Sequence, residues 1–198
     1  SGNLYVAGTY NPSWATDIFG SLASSTGNIF IAKLTTTGAL SWLKTSTTGY
    51  TYIPVIKNDL SGNIFVAWAF GGTRNIFWQS MTSSWGVDMF LQKLSSTGGL
   101  IWSKQVAWVD ANEYTNSPLE VDGSGNVYVA GIFWGSNVNI FWEVRSQTLN
   151  IGSIFVAKVS STGSTLWVRD NDGEWWASDV TNLYLHDNTL YITELFFG

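Results

Sequence analysis

A Ser-Gly-Asn triplet followed by aliphatic and aromatic residues returns along this chain at nearly constant spacing, and no other feature constrains the fold as strongly. It stands at Ser1-Gly2-Asn3-Leu4-Tyr5-Val6-Ala7, at Ser61-Gly62-Asn63-Ile64-Phe65-Val66-Ala67 and at Ser124-Gly125-Asn126-Val127-Tyr128-Val129-Ala130. An eroded copy follows at His186-Asp187-Asn188-Thr189-Leu190-Tyr191-Ile192, so the steps are 60, 63 and 62 residues. A second marker keeps pace: Phe30, Lys33, Gly38 and Trp42, then Phe90, Lys93, Gly98 and Trp102, then Phe155, Lys158, Gly163 and Trp167. Recurrence at this period means that one supersecondary unit is stacked on copies of itself.

Within each unit the segments are short and rich in Val, Ile, Phe, Tyr, Trp and Thr, with Gly, Asn, Asp and Ser between them, the signature of strands joined by tight turns. No segment sustains a 3.6-residue apolar period. The middle unit predicts strands at Ile53–Lys57, Asn63–Phe70, Phe90–Leu94 and Leu100–Lys104. Between the second and third lies an insert with Ile76-Phe77-Trp78, matched by Ile140-Phe141-Trp142 and loosely by Ile18-Phe19, that reads as a further short strand. Ile64 to Phe70 is apolar at every position, so both faces of that strand are expected to be covered. The expected fold is all-β: about three four-stranded, β-propeller-like blades of 60–65 residues plus surplus C-terminal strands, in one repeat domain over 1–198 with units at roughly 1–60, 61–123 and 124–185 and a partial one at 186–198.

The run Ser-Gly-Asn-Val-Tyr-Val-Ala-Gly, an insert, and then Ile-Phe-Val-Ala-Lys-Val-Ser-Ser-Thr-Gly-Ser-Thr-Leu-Trp resembles the seven-bladed β-propeller (SBBP) repeat family of extracellular and cell-surface proteins. The resemblance covers nearly the whole chain and implies a scaffold without a reaction or cofactor, located outside the cell. The chain departs from that family in having only about three units, in its Trp-rich inserts and in its weak last copy.

Composition narrows function by inventory. There is no Cys, which removes disulfides, thiolate metal sites and a cysteine nucleophile, and a single His leaves almost nothing for a His-ligated metal or a His-based triad. Fourteen acidic against nine basic residues leave a net charge of −5, unsuited to nucleic acid. The apolar run Ile64 to Phe70 is far below the roughly 20 residues of a membrane-spanning helix. The chain opens on Ser1 without a leader, as a processed product or an excised piece would. It also opens on a second strand and closes on a first strand near Thr181–Leu185 plus another at Leu190–Phe196, so each end lacks what the other offers. The leading expectation is therefore a non-catalytic extracellular structural protein whose copies associate head to tail into a ring, surface layer or filament. The alternative is a carbohydrate-binding propeller.

Candidate site residues follow from the same pattern. Trp42, Trp102 and Trp167 recur in phase and read as packing residues. Trp78 and Trp142, in matching inserts, are candidates for an interface or for stacking on a sugar ring. Trp175 and Trp176, and the apolar C-terminal residues Tyr191, Phe196 and Phe197, are candidates for contact with another copy. No catalytic, cofactor or metal residue is assigned. Asp170-Asn171-Asp172-Gly173-Glu174 only faintly echoes a calcium loop and reads as a solvated turn, while Asp59–Asn63 and Asp122–Asn126 read as turn punctuation, their Asp and Asn satisfying local backbone amides. Lys33, Lys93 and Lys158 read as side chains reaching to the rim, and His186 as a turn residue.

Overall fold

The computed structural model describes residues 2–14, 16–47, 54–106, 118–133, 135–146, 153–171 and 177–196. All regular structure among them is strand. The first unit holds β1 (Leu4–Thr9), the short hairpin β2 (Asp17–Ile18) and β3 (Ser21–Leu22), then β4 (Ile29–Leu34) and β5 (Leu40–Ser46). The second holds β6 (Val55–Asn58), β7 (Ile64–Ile76), β8 (Gln79–Leu94) and β9 (Leu100–Val106). The third has β10 (Leu119–Val121), β11 (Val127–Phe133), the insert hairpin β12 (Val138–Ile140) and β13 (Glu143–Arg145), β14 (Ser153–Val159) and β15 (Thr165–Asp170). A final hairpin pairs β16 (Ala177–His186) with β17 (Thr189–Phe196).

Units two and three are antiparallel meanders, β6-β7-β8-β9 and β10-β11-β14-β15, while the first unit contributes β1-β4-β5 with no strand on the outer edge of β1 among the described residues. The first strand of the middle unit starts at Val55 rather than at Ile53, and residues 48–53 lie outside the described set. The insert is longer than its sequence signal, because β7 and β8 run on past Phe70 and before Phe90 as one ribbon. In the third unit the insert hairpin joins the sheet of the second unit through Ile140 opposite Val106.

The sheets stack face to face, and strand alternation decides which neighbour each residue meets. Along β7, Ile64, Val66, Trp68 and Phe70 pack toward the first unit with Ile29 and Ile31. Phe65 and Ala67 turn the other way, into the core shared with Val127, Val129 and Phe155 of the third unit. Along β11 the same alternation sends Tyr128, Ala130 and Ile132 to Val180 and Leu183 of the last hairpin. Central strands apolar on both faces thus have both faces covered, with Ile64 to Phe70 all buried. The stack leaves two outer faces. Leu4 on one is 57% exposed, and Tyr184 and Tyr191, paired across the last hairpin on the other, are 57% and 53% exposed.

One contact recurs at both junctions between the three units. Trp42 Nε1 donates to the carbonyl of Ser96 in the β8–β9 turn (3.1 Å), and Trp102 Nε1 donates to Ser161 in the β14–β15 turn (3.2 Å). Each indole lies against the left-handed glycine of that turn: a Cβ on Gly98 would stand 3.4 Å from the Trp42 ring, and one on Gly163 would stand 3.1 Å from the Trp102 ring. Glycine is required there twice over, by its positive φ and by the ring. Trp102→Ala is expected to lower unfolding free energy by about 2–4 kcal/mol, somewhat under the loss of a fully buried aromatic. Gly163→Ala is expected to cost more than Gly38→Ala, since Gly38 has the same backbone sign but a Cβ there would meet nothing within 4 Å. Urea midpoints of the three variants check both statements.

Candidate functional site

The insert hairpins turn on two-residue loops that carry aromatics where glycine is usual. Phe77 and Trp78 have φ of 42° and 74°, Phe141 and Trp142 have 51° and 78°, and Phe19 precedes Gly20 at 54° and 83°. These signs belong to the mirror-image turn whose twist suits a hairpin, normally built from Asn-Gly. For bulky residues the left-handed region costs roughly 1–2 kcal/mol each, so it persists only where the surroundings hold it. Here Phe77 and Phe141 are buried, and the Asn139 Oδ1 atom accepts the Trp142 N–H at 2.7 Å. Asp17 Oδ1 does the same for Gly20 at 2.8 Å.

The second aromatic of each turn is left bare: Trp78 is 58% exposed and Trp142 81%. Each lies near a lysine on the last strand of the preceding unit, Lys44 Nζ 4.9 Å from the Trp78 ring and Lys104 Nζ 6.0 Å from the Trp142 ring. Ser46 fastens the second-unit ribbon to β5, donating its hydroxyl to Asn75 O at 2.9 Å and accepting the Phe77 N–H at 3.2 Å. Between the two inserts, above β9, opens a cavity of about 390 Å³. Met81 and Phe141 are its buried floor, and Trp142, Lys104, Gln79 and Gln105 lie around them. Burial pushes the Lys104 ammonium below its ordinary value. A second cavity of about 400 Å³ beside β1 contains Tyr5 and Lys33, whose polar ends are already spent on Gly62 O and Ser96 O.

The sequence reading of the strand lysines needs correction. Lys93 does not reach to the rim: its ammonium is buried, 3.2 Å from Asp59 Oδ2, 3.2 Å from Ser161 O and 4.8 Å from the centre of the Phe65 ring. Asp59 is accordingly more than turn punctuation. Burial pushes its carboxyl up, but the side chain and amide of Asn63 and the Lys93 ammonium pull harder and leave it below its ordinary value. Asp122 repeats this with Asn126 and Lys158. Lys158 is itself left raised, burial pushing it down and Tyr128 and Asp122 outweighing that.

Of the sequence candidates, Trp78 and Trp142 stand at separate hairpin tips and Tyr191 on the outer face of β17, so they form no common site. Phe196 is placed by its backbone, opposite Ala177 at the end of β17. Trp175, Trp176 and Phe197 lie outside the described residues, as does most of the acidic stretch from Asp172 on. His186 is exposed at the end of β16, stacked on Tyr184 and 3.2 Å from Asp187. Lys44 and Lys104 were missed, although a Trp-x-Lys spacing after the first two repeat Trp, with Arg169 in the same place after the third, was there to be seen. No group of three His, Cys, Asp or Glu suited to a metal occurs among the described residues. Comparison with protein-family models and with curated proteins found no match.

Two outcomes are expected. The depressed Asp59 and Asp122 carboxyls contribute stability that is full at neutral pH and is lost as pH falls through their lowered values, so the Asp59→Asn, Asp122→Asn double variant should lose less stability than the parent between about pH 7 and pH 3. Trp142→Gly relieves a strained turn and should leave the melting temperature unchanged or raise stability by up to about 1 kcal/mol, in calorimetry.

Proposed function

We propose that this chain is a non-catalytic structural module of the β-propeller kind, extracellular or cell-surface, whose copies associate head to tail into a ring, layer or filament. The observation that carries the reading is the junction contact. It is made at the two junctions between the three units and lacks a counterpart at either end: a Cβ on Gly38 would meet nothing within 4 Å, and Trp167, packed toward the last hairpin, meets no following turn among the described residues. A further unit of the same kind would supply what each end lacks. The four-stranded meanders with two-faced cores support blades, and the resemblance to SBBP repeats supports the extracellular setting.

The partial units at the ends are complementary. β16 holds a first-strand place, and β1 has a second-strand place with its outer edge unpaired among the described residues. Leu4-Tyr5-Val6 of β1 matches Leu190-Tyr191-Ile192 of β17, so β1 of a neighbour can take the place beside β16 that β17 fills in the isolated chain, an exchange of like strands. Three of the described carboxylates that make ion pairs join one strand or turn to another, Asp59 with Lys93, Asp122 with Lys158 and Asp170 with Arg145, which agrees with a scaffold.

Sedimentation velocity at micromolar concentration tests this. The full chain is expected to form dimers or longer assemblies. Deletion of residues 181–198 should abolish them. Gly38→Asn, which tolerates positive φ but fills the open turn, should weaken them. A stable monomer overturns the head-to-tail reading and moves it to the carbohydrate-binding alternative, which the bare indole of Trp142 beside a cavity favours.

A further inference from the structure

We propose that the cavity between the two insert hairpins binds a carboxylated sugar, a uronic-acid residue of an acidic glycan, with its ring against Trp142 and its carboxylate at Lys104. This site stands on its own residues and does not depend on head-to-tail assembly. The cavity holds about 390 Å³, room for one or two pyranose rings, and it combines an apolar floor with a few placed polar groups, as binding sites do.

Each part of such a sugar meets a suitable partner. The apolar C–H face of a pyranose needs a flat, bare aromatic, and the Trp142 indole is 81% exposed at the edge of the cavity. Its carboxylate needs a cation that is not already neutralised. Lys104 has no carboxylate within 4 Å among the described residues, while Lys57, Lys93, Arg145 and Lys158 are all paired. Partial burial disfavours that ammonium, and an arriving anion would relieve the cost.

The hydroxyls need donors and acceptors held in place. Gln105 spends its amide hydrogens on Thr82 O at 2.8 Å and Asp88 Oδ2 at 2.6 Å, which leaves Oε1 to accept. Asn139 spends Oδ1 on the Trp142 N–H, which leaves Nδ2 to donate. Gln79 gives one amide hydrogen to Ser80 O and keeps the other. The nearby buried carboxylate, Asp88, has Oδ2 engaged by Gln105 and by the Ser84 N–H at 3.0 Å. A single ammonium matches a monovalent carboxylate, whereas a phosphate calls for several charged donors. The strain at Phe141-Trp142 fits the same purpose, because it presents an indole where glycine would be cheaper.

Gly20 occupies the place of Trp142 in the first insert, so Trp142→Gly puts a residue that this turn type already uses at the site and keeps the fold while removing the platform. Calorimetric titration of the full chain with oligogalacturonate, oligoglucuronate and oligomannuronate should show binding by at least one, with tryptophan fluorescence changing alongside. Loss of a hydrogen bond to a charged group should make Lys104→Gln about 10-fold weaker or more. Trp142→Gly should weaken binding to a similar degree with an unchanged melting temperature, and Trp78→Gly should leave it intact. Neutral galacto-oligosaccharides and acetate should each bind far more weakly than the uronate. Binding by none of the three uronates, equal binding of the neutral sugar or of acetate, or full affinity in Lys104→Gln or Trp142→Gly would each overturn the proposal. Assembly measured on the same samples is read separately, since neither substitution touches β1, β16 or β17.

Discussion

The buried ammonium of Lys93 is the interaction on which the middle of the structure depends. It lies on a third strand, 5% exposed, and joins three things: the carboxylate of its own first turn, the Phe65 ring of its own second strand, and the main chain of the next unit. A charge this deep is tolerable only when fully partnered, and removing either partner would leave the other charge buried alone. Lys93 therefore ties the spacing of the first turn to the placement of the following unit. The other two copies are partial. Lys33 reaches the next turn at Ser96 but has no first-turn carboxylate, and Lys158 has its carboxylate but meets no following turn among the described residues. The one complete set among the described residues falls in the unit that has both its own first turn and the β14–β15 turn of the next unit beside it.

The tryptophan of the last strand works beside that lysine. Its indole N–H takes the same turn carbonyl, and its ring covers the turn glycine, so the approach of two sheets is set by a hydrogen bond and a flat contact together. The turn accepts this because it is braced internally. Ser95, Thr97 and Gly98 hold it by hydroxyl and backbone bonds, and Ser160, Thr162 and Gly163 repeat them. Adhesion is thus concentrated at the turns and cores of neighbouring sheets, while the insert hairpins are free to carry exposed aromatics along one rim.

Much of the fold was legible in the chain itself. The period, the strand types, the turn residues and the burial of Ile64 to Phe70 all follow from local chemistry, since a strand apolar on both faces has no other stable home. The phase of the partial units was legible for the same reason. Residues that act across a gap between units were not. Lys93 looks like any lysine at a strand end until Asp59 and Ser161 are seen on either side of it, and Lys104 gains meaning only because β12 pairs beside the end of β9 and brings Trp142 near it.

By itself, then, the amino-acid sequence determined that the chain is all-β and where the repeated strands and their tight turns fall, though not how far the insert strands extend, because alternation and turn propensity act over a few residues. Only the tertiary structure decided which lysines are buried in ion pairs, that Lys104 has no carboxylate partner among the described residues, and that the Phe141-Trp142 turn borders a cavity. Those properties depend on the distance between units about 60 residues apart, which no local preference encodes.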